Sequence, residues 1–178
     1  AGLVANHIPM QLLADAGPHG VLRAHVARAN PLVRDLQAAD ALVIFQGPQA
    51  YVSPLWYPSK QLTGRAVPTW NYMVVHAHGP LRIVEEAPWL RAQLEALTAT
   101  HEAGKAQPWS MDDAPQDYIA TMMNAIVGIE IPIMRLEGKW KLSQNQPPPN
   151  RDGVIAGLAA LGDAGALDVA DHMQALQP

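Results

Sequence analysis

Two basic segments of the chain contain the residue types that bind anions. In the first, Arg28 stands two residues before Asn30 and Pro31, a capping side chain followed by proline at the first helical position. A helix N-terminus presents unpaired backbone N–H groups, which suit a phosphate. An ordinary capped helix beside a solvated arginine explains the same residues, and by residue type alone it is the simpler interpretation.

The second basic segment, EGKWKLSQN, places Lys139, Lys141 and Ser143 at alternate positions. Two ammonium groups and a hydroxyl at this spacing can hold a dianionic phosphate or the carboxylates of a partner. A solvated basic hairpin that turns at Gly138 is the alternative. Lys60 and Arg65 stand in a polar stretch, residues 58–68, that we predict to be a loop; it either covers an anionic ligand or is solvated.

His76 and His78 form an H-x-H pair, which a strand would project to one face. Such a pair can start a metal site, but a third and a fourth ligand are needed. The plausible donors by residue type are His25, Glu85 and Glu130. Two histidines on a half-exposed strand face are the favoured explanation of the pair, so we expect no metal site.

Apolar residues that alternate with a period of two predict several strands. Two or three antiparallel strands are predicted over residues 41–79, which contain the runs ALVIF and AYVSPLWY with a turn at Gly47 and Pro48 between them, and then VPTWNYMVVHAHG. Pro132 cannot donate a hydrogen bond, so its strand is expected at a sheet edge or at a bulge. Further strands are predicted over residues 3–12, 21–27, 81–84 and 129–134.

Four helical regions are predicted. One runs from Asn30 to about Ala39, one begins at Pro88, and a third starts at a D-x-x-Q capping signature over residues 113–116. After the stiff QPPPN linker, the Ala-rich tail has the pattern of a helical hairpin. We therefore expect a sheet domain with inserted helices over residues 1–146, and a hairpin over 147–178 that docks on this domain or on a second subunit.

Composition limits the function. A net charge of −4 and a pI near 5.9 leave the chain without a basic stripe, so direct DNA binding is disfavoured. Cysteine is absent, no apolar run approaches the ~20 residues that span a bilayer, and no signal peptide is visible, so we predict a cytoplasmic protein. Because G-x-G-x-x-G, P-loop, G-x-S-x-G and H-E-x-x-H motifs are missing, we expect no catalytic side chains.

Four parts of the chain resemble the PaiB-type family of FMN-binding negative transcriptional regulators. They are FQGPQAYVSPLWYPSK, VPTWNYMVVHAHG, LVANHIPM with LRAHVARANP, and GIEIPIMRLEGKWKLSQN. The fold of that family is similar to those of pyridoxamine-phosphate oxidases and other split-barrel flavoproteins. The resemblance implies a mainly β, α+β fold: an antiparallel Greek-key split barrel with C-terminal helices. Family members carry a further helix and strand upstream, so we expect part of the barrel edge to precede Ala1.

The resemblance also implies a homodimer that binds FMN. The FMN phosphate would lie where the Arg28 strand meets its helix, and the late Trp-containing basic segment would reach the flavin held mainly by the other subunit. A flavin-dependent oxidoreductase or haem-degrading enzyme on the same fold is the alternative, and a cofactor-free interaction module is the third. The implied cofactor-binding residues are Asn6, His7, Arg23, His25, Arg28, Asn30, Trp70, Asn71, Lys139, Lys141, Ser143 and Gln144.

Overall fold

The computed structural model describes residues 4–35 and 40–176 as two compact units. Unit 1 comprises Ala1–Leu42 and Ala77–Leu136, and unit 2 comprises Val43–His76 and Glu137–Pro178. The strands are β1 (Gln11–Leu13), β2 (Val21–Ala27), β3 (Asp40–Val52), β4 (Thr69–Pro80), β5 (Arg82–Val84), β6 (Ile126–Pro132) and β7 (Arg135–Lys141). The helices are α1 (Leu32–Asp35), α2 (Pro58–Thr63), α3 (Ala87–Glu102), α4 (Gln116–Asn124), α5 (Pro148–Leu161) and α6 (Ala164–Ala175).

Unit 1 is organised on a four-stranded antiparallel sheet in the order β1-β2-β6-β5. One face of its central pair is fully apolar, because buried Leu22 and Ala24 stand opposite buried Ile131 and Ile129. The other face carries Arg23 and the half-buried His25. Helix α3 packs on this sheet, and its Trp89 ring lies directly against Gly128. A Cβ at that position would be 2.3 Å from the nearest atom of the ring.

Unit 2 contains most of a three-stranded sheet in the order β3-β4-β7, together with the α5–α6 hairpin. The alternation of β4 buries Asn71 and Met73 and leaves Trp70 exposed. Gly162 ends α5 at φ 72°, and the Asp163 side chain caps α6 by accepting from the Ala166 N–H. The helices share one core with the sheet, formed by Ala50, Val52, Tyr57, Met73, Leu142, Val154, Ile155, Leu158, Ala166, Val169, Ala170 and Met173.

The prediction of an α+β fold with antiparallel strands and C-terminal helices is confirmed at this level. Within the described ranges each of the two sheets is open, so closure into a Greek-key split barrel stays a prediction. Among those same residues, no helix combines the length and apolar content that crossing a bilayer requires.

The predicted turn at Gly47 and Pro48 is wrong, because β3 continues through both residues. β3 is an edge strand of its sheet. Proline is tolerated there, because one side of an edge strand has no neighbouring strand to which an N–H must donate. Gly47 permits a close approach, since a Cβ there would lie 3.2 Å from the Met73 Cβ. The composition of the segment indicates a turn, whereas strand pairing determines the outcome.

Several other boundaries differ from the predictions. The strand predicted over 3–12 is limited to β1, the turn predicted at Gly138 lies inside β7, and the loop predicted over 58–68 begins with α2. β6 is an interior strand and not the predicted edge strand. Pro132 is accommodated because it is the last residue of β6, where the strand pairing ends. The capping box forms between Ser110 and Asp113, one turn before the predicted position. The predicted extension of α1 over residues 36–39 lies outside the described residues.

Candidate functional site

A cleft of about 470 Å³ lies within unit 2, beside the last residue of β7 and the first residues of β4. Two cationic side chains, Arg65 and Lys141, line it, and no lining residue carries a carboxylate. Most other lining side chains offer hydroxyl or amide groups, namely Tyr57, Ser59, Thr69, Asn71, Ser143, Asn145, Gln146 and Asn150. Two positive charges among neutral donors make this cleft suited to an anion.

Lys141 is held in place at the cleft wall. It ends β7, and its half-buried Nζ donates to the Thr69 hydroxyl at the start of β4, over 2.6 Å. This contact crosses from β7 to β4 and leaves the remaining ammonium protons available. The strand pair therefore presents a positive charge at a defined position in the cleft.

The floor of the cleft is a buried network of three polar side chains. Asn71 Nδ2 and Ser143 Oγ lie 3.1 Å apart, and Asn71 Oδ1 lies 3.2 Å from the same hydroxyl. The Tyr57 side chain hydrogen-bonds Ser143 as well. Asn71 is 0% exposed and Ser143 5% exposed, so these bonds replace water as the partners of both groups.

Ser143 adopts a left-handed backbone conformation at φ 59°, and no other non-glycine residue in the described part of the chain does so. This conformation costs free energy for a residue with a Cβ, and it persists only where the surroundings impose it. The turn is closed by the Gln146 N–H donating to Ser143 O over 3.0 Å. Gln144 accepts from the Leu142 N–H and donates to Trp140 O, each over 2.7 Å.

Burial raises the pKa of Tyr57 above its usual value, and the hydrogen bond with Ser143 partly opposes this rise. The phenol is therefore protonated at neutral pH. It adds a neutral hydroxyl to the cleft and leaves the positive charges of Lys141 and Arg65 uncompensated by any lining residue.

The N-terminus of α5 closes another side of the cleft through Asn150, which is 4% exposed. Its Nδ2 donates to Ser59 Oγ over 2.9 Å and to Gln146 Oε1 over 3.0 Å, and its Oδ1 accepts from the Ser59 N–H. A single amide thus links α2, α5 and the turn after β7.

The Arg28 segment of unit 1 has a different environment. Asn30 caps α1 as predicted, because its Oδ1 accepts from the Leu32 N–H over 2.9 Å, and its Nδ2 donates to Asn6 Oδ1. Arg28 forms an ion pair with Glu85 and also donates to the backbone carbonyls of Asn124 and Ile126. Its guanidinium is thus engaged by one carboxylate and two carbonyls.

Arg23 and His25 also have partners within unit 1. Arg23 Nε donates to Glu130 Oε2 over 2.9 Å, and its guanidinium lies 5.2 Å from the centre of a Trp89 ring. His25 Nδ1 lies 3.0 Å from Oε1 of Gln93, a residue that is 1% exposed. These contacts tie β2 to β6 and α3.

Of the twelve residues that the sequence predicts, the structure brings Asn71, Lys141 and Ser143 together in the cleft. Trp70, Lys139 and Gln144 are exposed neighbours of these residues in the chain, and His7 is exposed in unit 1. The sequence reasoning did not place Tyr57, Ser59, Arg65, Thr69, Asn145, Gln146 and Asn150 in the site. Two signals point to members of this group: Arg65 lies in a basic stretch, and Tyr57 is one of the aromatic residues that could stack on a flavin ring.

The chain belongs to a family whose model, described as "Putative FMN-binding domain", matches residues 1–135. The PaiB-type resemblance is confirmed by this match and by the protease synthase and sporulation protein PAI 2 of Bacillus subtilis. That relative is 30% identical over 96% of this chain and 80% of its own length. An uncharacterized protein of Emericella nidulans is 38% identical over 90% of this chain and 77% of its own length.

A solved structure, that of the flavocytochrome Anf3 from Azotobacter vinelandii, also matches. Its TM-score is 0.43 at 12% sequence identity, with 67% of this chain and 50% of that chain covered.

Proposed function

We propose that the protein is an FMN-binding regulator of the PaiB type and that the cleft of unit 2 holds the phosphate end of FMN. The observation that carries this proposal is the pairing of Lys141 and Arg65 in a cleft without a carboxylate. A volume of about 470 Å³ lies in the range of small-molecule sites. The family match supports flavin as the ligand.

The residues present fit a phosphate monoester. Lys141 and Arg65 would balance its charge, while the Thr69 hydroxyl and the Asn145 and Gln146 amides would fill its remaining acceptor positions. A bound flavin supplies redox chemistry, and the chain binds and orients it. Asn6, His7, Arg23, His25, Trp70, Lys139 and Gln144 stay candidates for the rest of the cofactor.

The Arg28–Asn30 junction is the second candidate for the phosphate. Arg28 already has Glu85 and two carbonyls as partners, and α1 has only four residues. A phosphate would have to displace that carboxylate, which favours the cleft. Both candidates are accessible to the same experiment.

The test measures FMN and riboflavin affinities by flavin fluorescence quenching for the parent, Lys141→Ala and Arg28→Ala. Loss of Lys141 should weaken FMN binding about 10- to 100-fold, the scale of a charge-assisted contact. Riboflavin, which lacks the phosphate, should be nearly unaffected. If Lys141→Ala binds FMN like the parent, the phosphate is not in this cleft, and loss of affinity in Arg28→Ala alone would place it at α1.

We further propose that the regulator acts as a homodimer. Tyr51 and Trp70, both about half exposed, pack edge to face with ring centres 6.2 Å apart. Tyr72 and Val74 follow Trp70 at alternate positions of β4 and are half-buried. We call these four residues the aromatic face. Aromatic side chains of this kind are enriched in interfaces, and a two-fold dimer is the commonest way to cover such a face.

A regulatory role and an enzymatic role make different demands on the bound flavin. An oxidoreductase consumes NAD(P)H in steady state, whereas a regulator needs only to bind. We therefore expect the FMN-loaded protein to oxidise NAD(P)H no faster than free FMN, as measured by absorbance at 340 nm.

A further inference from the structure

We infer that Asn71 is the positioning residue of the cleft. By binding the Ser143 hydroxyl, it holds Ser143 in the left-handed backbone conformation, and this conformation directs Lys141 and Asn145 toward an anion. This inference rests on the proposed function, since it takes the anion to be the FMN phosphate. It assigns to Asn71 a role through Ser143, without contact to the ligand.

The contacts of Asn71 support an indirect role. Its side chain is fully buried in β4, and both polar atoms of the amide lie within hydrogen-bond distance of Ser143 Oγ. Its other contact is with the Met173 sulfur in the core, at 3.4 Å. The amide is therefore directed at one hydroxyl and at an apolar side chain.

The conformation of Ser143 shows why that hydroxyl must be held. At φ 59° the residue is in a region that L side chains avoid, and its hydroxyl is held from a different segment by Asn71, which donates through Nδ2 and accepts through Oδ1. If the hydroxyl were released, the backbone would relax toward ordinary negative φ values. Asn71 thus supplies part of the constraint that keeps an unfavourable conformation populated.

The flanking residues connect this conformation to the ligand. Lys141 precedes Ser143 by two residues, and Asn145 and Gln146 follow it, all three lining the cleft. A change in φ at Ser143 would move the two sides of the turn relative to each other. The cation and the amides would then no longer converge on one phosphate.

A double-mutant cycle tests the inference on the full-length chain. FMN dissociation constants are measured for Asn71→Ala, Ser143→Ala and the double variant. Each single variant should bind about 10-fold more weakly, and the double variant no more weakly than the worse single one, because both changes remove the same constraint. Independent contributions would multiply to about 100-fold, and that result would overturn the inference.

Ser143→Gly provides a second test, in which its FMN affinity is compared with that of Ser143→Ala. A hydroxyl that served only the stability of the fold would give no difference between the two variants. Glycine adopts φ near +60° without the Cβ penalty, so this variant loses the hydroxyl yet keeps access to the required backbone. We expect it to bind FMN more tightly than Ser143→Ala. Equal or weaker binding by Ser143→Gly would contradict the positioning role. This comparison remains available if Asn71→Ala does not fold.

Two controls separate the possible failures. Asp163→Ala removes the α6 cap, which costs stability away from the cleft lining, so it should leave FMN affinity unchanged. Lys141→Ala reports on the proposed function itself. Weak binding by Lys141→Ala with parent-like binding by Asn71→Ala refutes only the positioning role, whereas parent-like binding by Lys141→Ala refutes the placement of FMN.

Discussion

Among the described side chains of unit 1, Glu130 is the carboxylate with the most hydrogen-bond partners. It accepts from Arg23 at 2.9 Å, from Arg82 at 2.5 Å and from Trp89 Nε1 at 3.3 Å, with its side chain 12% exposed. Burial raises its pKa, but the hydrogen bond and charge of Arg82 and the charge of Arg23 outweigh this effect and hold the pKa below the ordinary 4.5. The ionised carboxylate therefore stabilises the fold.

Replacing Glu130 with glutamine should lower the free energy of unfolding by about 1.5–3 kcal/mol at pH 7, the range for hydrogen bonds to charged groups. Because the folded pKa is depressed, the contribution is present above pH 4.5 and is lost as pH falls through the lower, folded value. The difference between parent and variant should thus shrink in acid, as measured by urea unfolding from pH 7 to pH 3.

Glu95→Gln is the matched control, since it removes an exposed i,i+4 partner of Arg91. Exposed pairs contribute little, so its effect should stay within about 0.5 kcal/mol. A pH-independent loss in Glu130→Gln would contradict the electrostatic origin of its contribution.

Residue types and alternation predicted part of the cleft and missed the rest for a physical reason. Lys141 and Ser143 are predicted from their residue types, since an ammonium and a hydroxyl close together in the chain suit an anion, and Asn71 is predicted through the family resemblance. Tyr57 and Asn150 reach the same cleft from segments that only tertiary packing brings close. Spacing along the chain contains no information about such contacts.

At the scale of elements, the packing of α5 depends on two glycines, because Trp56 lies against the helix at both positions. A Cβ on Gly153 would lie 2.0 Å from the Trp56 carbonyl oxygen, and one on Gly157 would lie 2.3 Å from its ring. The Trp56 carbonyl belongs to the backbone, so it cannot move aside as the end of a flexible side chain can. Gly153→Ala should therefore lower the free energy of unfolding by about 1–3 kcal/mol, the usual cost of overpacking, although alanine favours helix intrinsically.

Gly165→Ala in α6 is the matched control, because its nearest neighbours would be 3.5 Å or more from the new Cβ. It should leave the thermal midpoint unchanged or raise it slightly. If Gly153→Ala unfolds at the same temperature as Gly165→Ala, the close contact with Trp56 does not limit α5.

Periodicity predicted the elements whose apolar pattern agrees with their environment. β2, β4 and α3 form close to where the sequence predicts them. It failed where local turn residues compete with sheet pairing, as at Gly47, Pro48 and Gly138, which all lie inside strands. A turn residue within a strand is tolerated at an edge or where two backbones approach closely, and neither condition is visible before the sheet is known.

At the scale of the whole molecule, the aromatic face gives the proposed dimer a specific test. Tyr51→Arg places a charge among Trp70, Tyr72 and Val74, and a buried unpaired charge is costly enough to separate subunits. We expect sedimentation to give dimer mass for the parent and monomer mass for the variant. Leu62→Arg, on the highly exposed end of α2, is the control that should stay dimeric. A monomeric parent at micromolar concentration would contradict the proposal.

Charge distribution makes the last prediction, that the protein alone does not bind an operator tightly. The net charge is −4, and the four long helices α3 to α6 contain only Arg91 and Arg151 as arginine or lysine. Arg91 is already paired with Glu95 and Asp112. A DNA-binding protein needs several phosphate contacts before any base can be read, so the proposed regulation would act through a partner protein or through the proposed flavin. Electrophoretic shift at physiological salt, with promoter fragments and purified protein, should show no tight complex; a sequence-dependent shift by the protein alone would refute the argument from charge.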